Sequence, residues 1–484
     1  MKTNSTLFDC ISAARKDYDM ISKIKVDNDY DFDYAPSMMQ KFMYDGLKKN
    51  RIFCNWSGTG AGKTLSALFA GRKLDCRVMV IICPNDVKDS WESSIAATYP
   101  TNSNVVNVTG IKDIKKFDRK VFNYIILNYD KFSVESGKEM VEKMLKMNKI
   151  DFLCFDELHF VKVRNANDAS KRHDLIKSLR MEAEKDNENI YITGMTATPV
   201  INSLSEARSL VELITGKKYP EIGNTKTHNN LYQAYKALNN IGFRYVKNYG
   251  IDMKEEVINI DGQDAKMSLI DCLQCSDKIL RVEKILATIK MNDPSVLKEI
   301  KRGTIIFSYY RDGNHSDAIL NIIVRKLMET GISYAIYTGG DNDRDESKKL
   351  FMQGKVDVLI ATKPISTGVD GLQKVSNRMI MIGYPWTGAE YDQLTGRINR
   401  QGSNFKEVTI IHPQVNIMKV NGEVWSYDHH RREVIRTKKE LADVVLDGKF
   451  DTIYNIHRGK MVSDMLEDLK KGTATDYTPE RESL

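Results

Sequence analysis

The run Trp56-Ser57-Gly58-Thr59-Gly60-Ala61-Gly62-Lys63-Thr64 constrains this chain more than any other stretch. Apolar residues precede it (Ile52, Phe53, Cys54), and a helix-forming run, Leu65 to Ala70, follows. A strand, a glycine-rich loop and a helix in that order make a phosphate-binding loop. Glycines let the backbone curl until its N–H groups converge on phosphate oxygens, and the helix N-terminus adds partial positive charge. In that reading Ser57, Gly58, Thr59, Gly60, Ala61 and Gly62 cradle the phosphates. Lys63 reaches the terminal ones, and the Thr64 hydroxyl holds Mg2+. The first glycine of the pattern is replaced by Ser57. Taken alone, the run also fits a glycine-rich turn before an ordinary helix.

Such a loop needs a sheet to carry it. Runs at Val78–Cys83, Tyr124–Leu127, Phe152–Phe155 and Ile190–Thr193 are continuously apolar. Runs of this length suit parallel strands covered on both faces. With the strand before the loop they predict one α/β domain over 35–215. A second series follows at Thr304–Phe307, Tyr334–Tyr337, Val356–Ala361, Arg378–Ile382 and Val408–His412, with an amphipathic helix over Ala318–Thr330. It has no phosphate loop of its own and predicts a second domain over 301–448. Residues 1–34 are then an N-terminal extension, 216–300 a mostly helical connector, and 449–484 a C-terminal tail. The acid-rich stretch Asp27 to Asp33 reads as a loop or edge strand.

Composition limits the setting. No run approaches the ~20 apolar residues of a membrane helix, and the N-terminus shows no secretory leader. The seven cysteines lie mostly in apolar runs, as buried thiols do, so a reducing, intracellular compartment is expected. Cys272-x-x-Cys275 lacks the second pair that a zinc site requires. The net charge of +7 permits a polyanionic partner without demanding one. The most basic cluster is His429-His430-Arg431-Arg432 with Arg436, Lys438 and Lys439. On a helix it either follows a phosphate backbone or forms a solvated face.

Downstream of the loop, Phe152-Leu153-Cys154-Phe155 ends in the adjacent carboxylates Asp156 and Glu157, then Leu158 and His159. A strand-end acid pair alone is also what a helix cap looks like. Opposite a phosphate loop it has specific work: Asp156 can hold the Mg2+ that bridges two phosphates, and Glu157 can orient and deprotonate an attacking water.

Asp156-Glu157-Leu158-His159 resembles the Asp-Glu-x-His box of superfamily 2 helicases and translocases. Thr193-Gly194-Met195-Thr196-Ala197-Thr198-Pro199 is similar to that superfamily's motif III, Ser366-Thr367-Gly368-Val369-Asp370-Gly371-Leu372 to motif V, and Gln393 through Arg400 to motif VI. The order resembles that of the Swi/Snf-type DNA translocases: Pro84 with Trp91, Leu127-Asn128-Tyr129, Lys162 after the box, Thr198-Pro199-Val200-Ile201-Asn202, Thr338-Gly339-Gly340, Pro385-Trp386, and a brace-like segment from Val424 to Gly448. The likeness covers roughly 35–448.

The resemblance implies an α/β protein of two RecA-like lobes, parallel sheets flanked by helices, with an ATP cleft between them. It implies ATP and Mg2+ as ligands, with Lys63, Asp156, Glu157, Arg397 and Arg400 catalytic. The two arginines would be fingers that stabilise the phosphoryl-transfer transition state. Gly368 and Asp370 join the nucleotide site; His159, Thr196, Thr198 and Gln393 couple hydrolysis to lobe movement. Gln40 would read adenine, or else be an ordinary exposed helical glutamine. Nucleic acid, duplex DNA above all, would contact Pro84, Thr338, Gly339, Thr362 and Thr367, largely through phosphates. The form of motif III keeps a strand-separating DNA or RNA helicase open as the rival, and a non-catalytic nucleic-acid scaffold is the third reading. A near-minimal core rich in Lys, Asn, Ile and Met suits a phage or large DNA virus.

Overall fold

The structure is a computed structural model describing residues 23, 35–58, 60–161, 171–200, 203–246, 249–310, 318–339, 343–448 and 462–471. Thr59, Lys162, Ile201, Asn202, Gly340, the acid-rich stretch at 27–33 and most of the two terminal segments lie outside them. Two compact units divide the chain: the described residues of Met1–Lys247 with Leu441–Ile453, and those of Asn248–Glu440 with Tyr454–Leu484. Among the described residues no helix is long and apolar enough to cross a membrane.

The first unit holds β1 (Cys54–Asn55), β2 (Val78–Cys83), β3 (Ser103–Asn107), β4 (Phe122–Asn128), β5 (Phe152–Asp156), β6 (Tyr191–Met195) and β7 (Gly242–Phe243). They form one parallel sheet in the order β3-β4-β2-β5-β6-β1-β7. Side chains alternate across a strand, so each apolar run feeds both faces. Val78, Val80 and Ile82 enter one apolar cluster with Leu153 and Ile192, while Met79 and Ile81 enter another with Cys154 and Met195. Each such buried side chain contributes about 1.5–3 kcal/mol. Ile81→Ala, at 0% exposure, would leave a void costing ~2–5 kcal/mol.

The second unit repeats the plan with β8 (Asp252–Asp261), β9 (Thr304–Phe307), β10 (Tyr334–Tyr337), β11 (Val358–Ala361), β12 (Arg378–Met381), β13 (Glu407–Met418) and β14 (Val424–Trp425). The order is β10-β11-β9-β12-β13; β14 joins β13 antiparallel and β8 joins it parallel. Alternation again fills two faces: Ile305, Leu359 and Met379 on one, Ile306, Ile360 and Ile380 on the other. Each unit is a mainly parallel sheet flanked by helices, the plan expected of a RecA-like lobe.

Residues 216–300, expected as a connector, carry strands as well as helices. β7 adds to the first sheet and β8 to the second. Neither has an apolar run, because β7 spans two residues and most of β8 is exposed. β8 is held by backbone pairing, from Asp252 opposite Glu407 to Asp261 opposite Asn416. Its acids and Lys254 suit an edge strand, where charge discourages further pairing.

Only part of the basic cluster near residue 430 is a solvated face: His429 and Arg436 are exposed, whereas Arg431, Lys438 and Lys439 make contacts within the unit. Arg431 is fully buried, stacks its guanidinium 3.3 Å from the Trp386 ring centroid, and donates to the Tyr384 and Pro385 carbonyls. Lys438 donates to the Trp386 carbonyl and Lys439 pairs with Asp392. These cations hold the lobe together from the helix Tyr427–Asp447.

Candidate nucleotide site

Three strand ends of the first unit meet in one row. Asn55 at the end of β1 lies opposite Met195 of β6, and Met195 lies opposite Asp156 of β5. In open parallel sheets, ligands bind at the C-terminal strand edge. The glycine-rich loop leaves from β1, the acid pair from β5, and Thr196-Ala197-Thr198 from β6.

The loop is built as a cradle. Gly60 and Gly62 take φ of +70° and +90°, which residues with a Cβ rarely adopt. Gly62 caps the helix Lys63–Lys73, and a Cβ there would meet nothing within 4 Å. The Lys63 ammonium lies over the loop, donating to the Ser57 and Gly58 carbonyls at 3.1 Å each. Thr64 occupies the first turn of that helix.

Asn55, which the sequence reading passed over, pins the loop from beneath. Its Oδ1 accepts from Ser57 N at 3.0 Å and its Nδ2 donates to Ser66 Oγ at 3.1 Å. A buried amide at the end of an apolar strand needs such partners, and that was the available signal. Ser57 also has work to do. Its hydroxyl, fully buried, accepts from Tyr245 N at 3.0 Å.

The acid pair is held apart in character. Asp156 Oδ2 accepts from the Trp91 indole at 2.8 Å, and Tyr129 Oη donates to the Asp156 carbonyl at 2.7 Å. Burial, with the adjoining Glu157 charge, pushes the Asp156 carboxyl up, against the opposing pull of Trp91 and Lys63. Burial also opposes the Glu157 charge, but His159, Lys63 and Thr196 outweigh it and hold that carboxyl below the usual range. Glu157 has φ of +48°, an uncommon region for a side-chain-bearing residue and a mark of local strain. His159 Nδ1 lies 2.9 Å from Thr196 Oγ1 and 3.3 Å from Glu157 Oε2. The Thr196 hydroxyl in turn accepts from Thr198 N at 3.1 Å. The acid pair and the segment after β6 are therefore one hydrogen-bonded assembly.

The residues fit a magnesium-bound nucleotide. Thr64 and Asp156 are hard oxygen donors, and Mg2+ beside phosphates needs only one or two protein ligands. Thr198 Oγ1 is buried without a hydrogen-bond partner among the described residues. Gln40 is not the exposed helical glutamine of the second expectation. It is 3% exposed, and its Oε1 accepts from Ser37 N at 2.6 Å in a capping box that starts the helix Met38–Asn50.

In the second unit, Arg397 donates to the Ser366 and Val369 carbonyls, the latter at 3.1 Å. Arg400 pairs with the carboxylate of Asp370, which is 70% exposed and also lies 3.7 Å from Arg397 Nη1. Gly368 ends the short helix Ile365–Gly368, to which Thr367 also belongs. Gln393 is half-buried on the helix Gly388–Thr395. Thr338 and Thr362, just beyond β10 and β11, are 0% and 3% exposed, whereas Gly339 is half-buried. Pro84, at the end of β2 in the first unit, is also half-buried.

Two family models match the chain. Residues 19–201 match the type III restriction enzyme, res subunit, and residues 277–402 match the helicase conserved C-terminal domain. Similar solved structures include the following three. The Pyrococcus furiosus Hef helicase domain has a TM-score of 0.49 at 14% identity, covering 78% of this chain and 95% of its own. The Mycobacterium smegmatis helicase Lhr bound to ssDNA and AMP-PNP has 0.46 at 12%, covering 78% and 46%. The Sulfolobus solfataricus SWI2/SNF2 ATPase core in complex with dsDNA has 0.37 at 14%, covering 90% and 100%. Among curated proteins no sequence matches.

Proposed function

We propose that this chain, which belongs to superfamily 2 of helicases and translocases, hydrolyses ATP and uses the turnover to move along duplex DNA in the manner of the Swi/Snf-type branch. The observation that carries the hydrolytic part is the single row of Asn55, Met195 and Asp156, which brings the loop, the acid pair and the Thr196 segment to one edge.

In this reading the loop amides and Lys63 bind the β- and γ-phosphates. Thr64 and Asp156 would hold Mg2+, which neutralises developing phosphate charge. Glu157, kept ionised, accepts the proton of the attacking water as that water bonds to the γ-phosphorus and the bond from that phosphorus to the β,γ-bridging oxygen breaks, leaving ADP and inorganic phosphate. His159 sits between Glu157 and Thr196, so a change at the γ-phosphate end is passed to the segment after β6. Arg400 is the better finger of the two arginines: its side chain pairs with an exposed carboxylate, whereas Arg397 is committed to the Ser366 and Val369 backbone carbonyls as well as lying near that carboxylate. Pro84, Gly339 and the backbone beside Thr338, Thr362 and Thr367 face the polymer, with phosphate contacts that weaken as salt rises.

Movement and strand separation are distinguished by two assays run side by side. The expected result is ATP-dependent displacement of a third strand from a DNA triplex with no opening of a forked duplex. Opening of the fork without triplex displacement would replace this reading with that of a strand-separating helicase.

A further inference from the structure

We propose that Arg244 is a positioning residue for the nucleotide site, and that Asp447, from the far end of the chain, holds it in place. This rests on the reading of the Trp56–Thr64 loop as the ATP site.

β1 and β6 run side by side until Thr196 N donates to the Asn55 carbonyl at 3.2 Å. Beyond that bond the two chains part, one into the glycine-rich loop and the other into Thr196-Ala197-Thr198. The Arg244 guanidinium lies where they part. Its Nη1 donates to the Trp56 carbonyl at 2.9 Å and to the Ala197 carbonyl at 3.3 Å. Its Nε pairs with Asp447 Oδ1 at 2.7 Å. A planar guanidinium can serve two carbonyls and a carboxylate at once; a lysine ammonium on a flexible stem does not reproduce that fork.

The surrounding backbone reinforces the clamp. Trp56 N donates to the Phe243 carbonyl at 2.8 Å and Gly58 N to the Tyr245 carbonyl at 3.0 Å. With Tyr245 N on Ser57 Oγ, the segment 243–245 backs the first turn of the loop. Asp447 is fixed independently: Leu441, Val444, Val445 and Leu446 share an apolar cluster with Leu231, Ala234 and Leu238. The nucleotide loop therefore depends on a residue 203 positions from Arg244. Asp447 is the last residue of the helix Tyr427–Asp447.

The test uses the full chain and a fluorescent ATP analogue with Mg2+, comparing wild type with Lys63→Ala, Arg244→Ala, Arg244→Lys, Asp447→Asn and the Arg244→Ala/Asp447→Asn double variant. KM and kcat for ATP are measured beside the dissociation constant, and thermal melting reports folding. Arg244→Ala and Arg244→Lys are expected to weaken analogue binding on the order of tenfold and to raise KM more than they lower kcat. Asp447→Asn should weaken binding less, and the double variant no further than Arg244→Ala alone, because both act through one clamp. Unchanged affinity in folded Arg244→Ala and Arg244→Lys overturns the proposal, as do effects of the two sites that multiply. If Arg244→Ala does not fold, Arg244→Lys and Asp447→Asn decide by the same criterion. Wild-type protein that neither binds nor hydrolyses ATP, or Lys63→Ala that binds normally, overturns the reading of the site itself.

Discussion

The Trp91 indole N–H donates to Asp156 Oδ2 at 2.8 Å, tying the helix Lys88–Thr98 to the carboxylate at the end of β5. Trp91 is 1% exposed, so water does not replace a lost bond. Trp91→Phe keeps most of the packing and removes the donor. A hydrogen bond to a charged group is worth about 1.5–3 kcal/mol. The half-saturating Mg2+ concentration for ATP turnover is predicted to rise about tenfold or more, read from a Mg2+ titration at fixed ATP.

Glu157→Gln keeps the shape of the side chain and removes the base. Turnover is predicted to fall by ~10²–10⁴-fold while nucleotide still binds. Single-turnover hydrolysis beside an equilibrium binding titration separates the two effects. Equal losses in both would mean that Glu157 holds the nucleotide rather than the water.

Arg397 and Arg400 should separate stability from turnover. Arg397→Ala leaves the Ser366 and Val369 carbonyls without their donor and is predicted to cost about 1–3 kcal/mol of stability. Arg400→Ala removes one surface ion pair, worth about 0–1 kcal/mol. If Arg400 is the finger, its loss lowers kcat by ~10³-fold or more without moving the melting temperature. Melting curves and ATPase rates on the two variants check this.

The second lobe buries two groups with opposed pH dependence. Glu283, 3% exposed, is pushed up to about 7 by burial and by Asp428, against the pull of Lys290 and Arg431. His412, 1% exposed, is lowered to about 3 by burial, Arg432 and Lys290. The folded pKa of Glu283 lies above its ordinary 4.5, so its contribution is full below 4.5 and is lost as pH rises to about 7. The folded pKa of His412 lies below its ordinary 6.5, so its contribution is full above 6.5 and is lost as pH falls towards 3. Between 4.5 and 6.5 the two offset. Glu283→Gln should leave stability rising with pH from 3 to 6.5 and level above, a change of up to about 5 kcal/mol across that window. Melting curves at a series of pH values read this directly.

The sequence was most legible where chemistry needs a short run in one place. The loop at Ser57–Thr64 and the pair Asp156-Glu157 each follow an apolar strand, and the central strands announced themselves as apolar runs because both faces of each sheet are covered. What stayed hidden is held by backbone pairing or by contacts distant in sequence. β8 shows exposed acids rather than apolar residues, and its order comes from β13, more than a hundred positions later. Arg244 is a single charge between Phe243 and Tyr245, with no motif around it, and its meaning comes from Trp56, Ala197 and Asp447. Arg431 read as part of a surface charge cluster because burial of an arginine against Trp386 leaves no mark in composition.

The central claim is that the row at the ends of β1, β5 and β6 is an ATPase site driven by duplex DNA. The most direct test is the ATP hydrolysis rate of the full chain with duplex DNA, single-stranded DNA and RNA in parallel, for wild type and Lys63→Ala. The account predicts the strongest stimulation by duplex DNA and no stimulated turnover in Lys63→Ala. Undiminished stimulated hydrolysis in Lys63→Ala would contradict the site, and stimulation by RNA or single strands alone would contradict the duplex track.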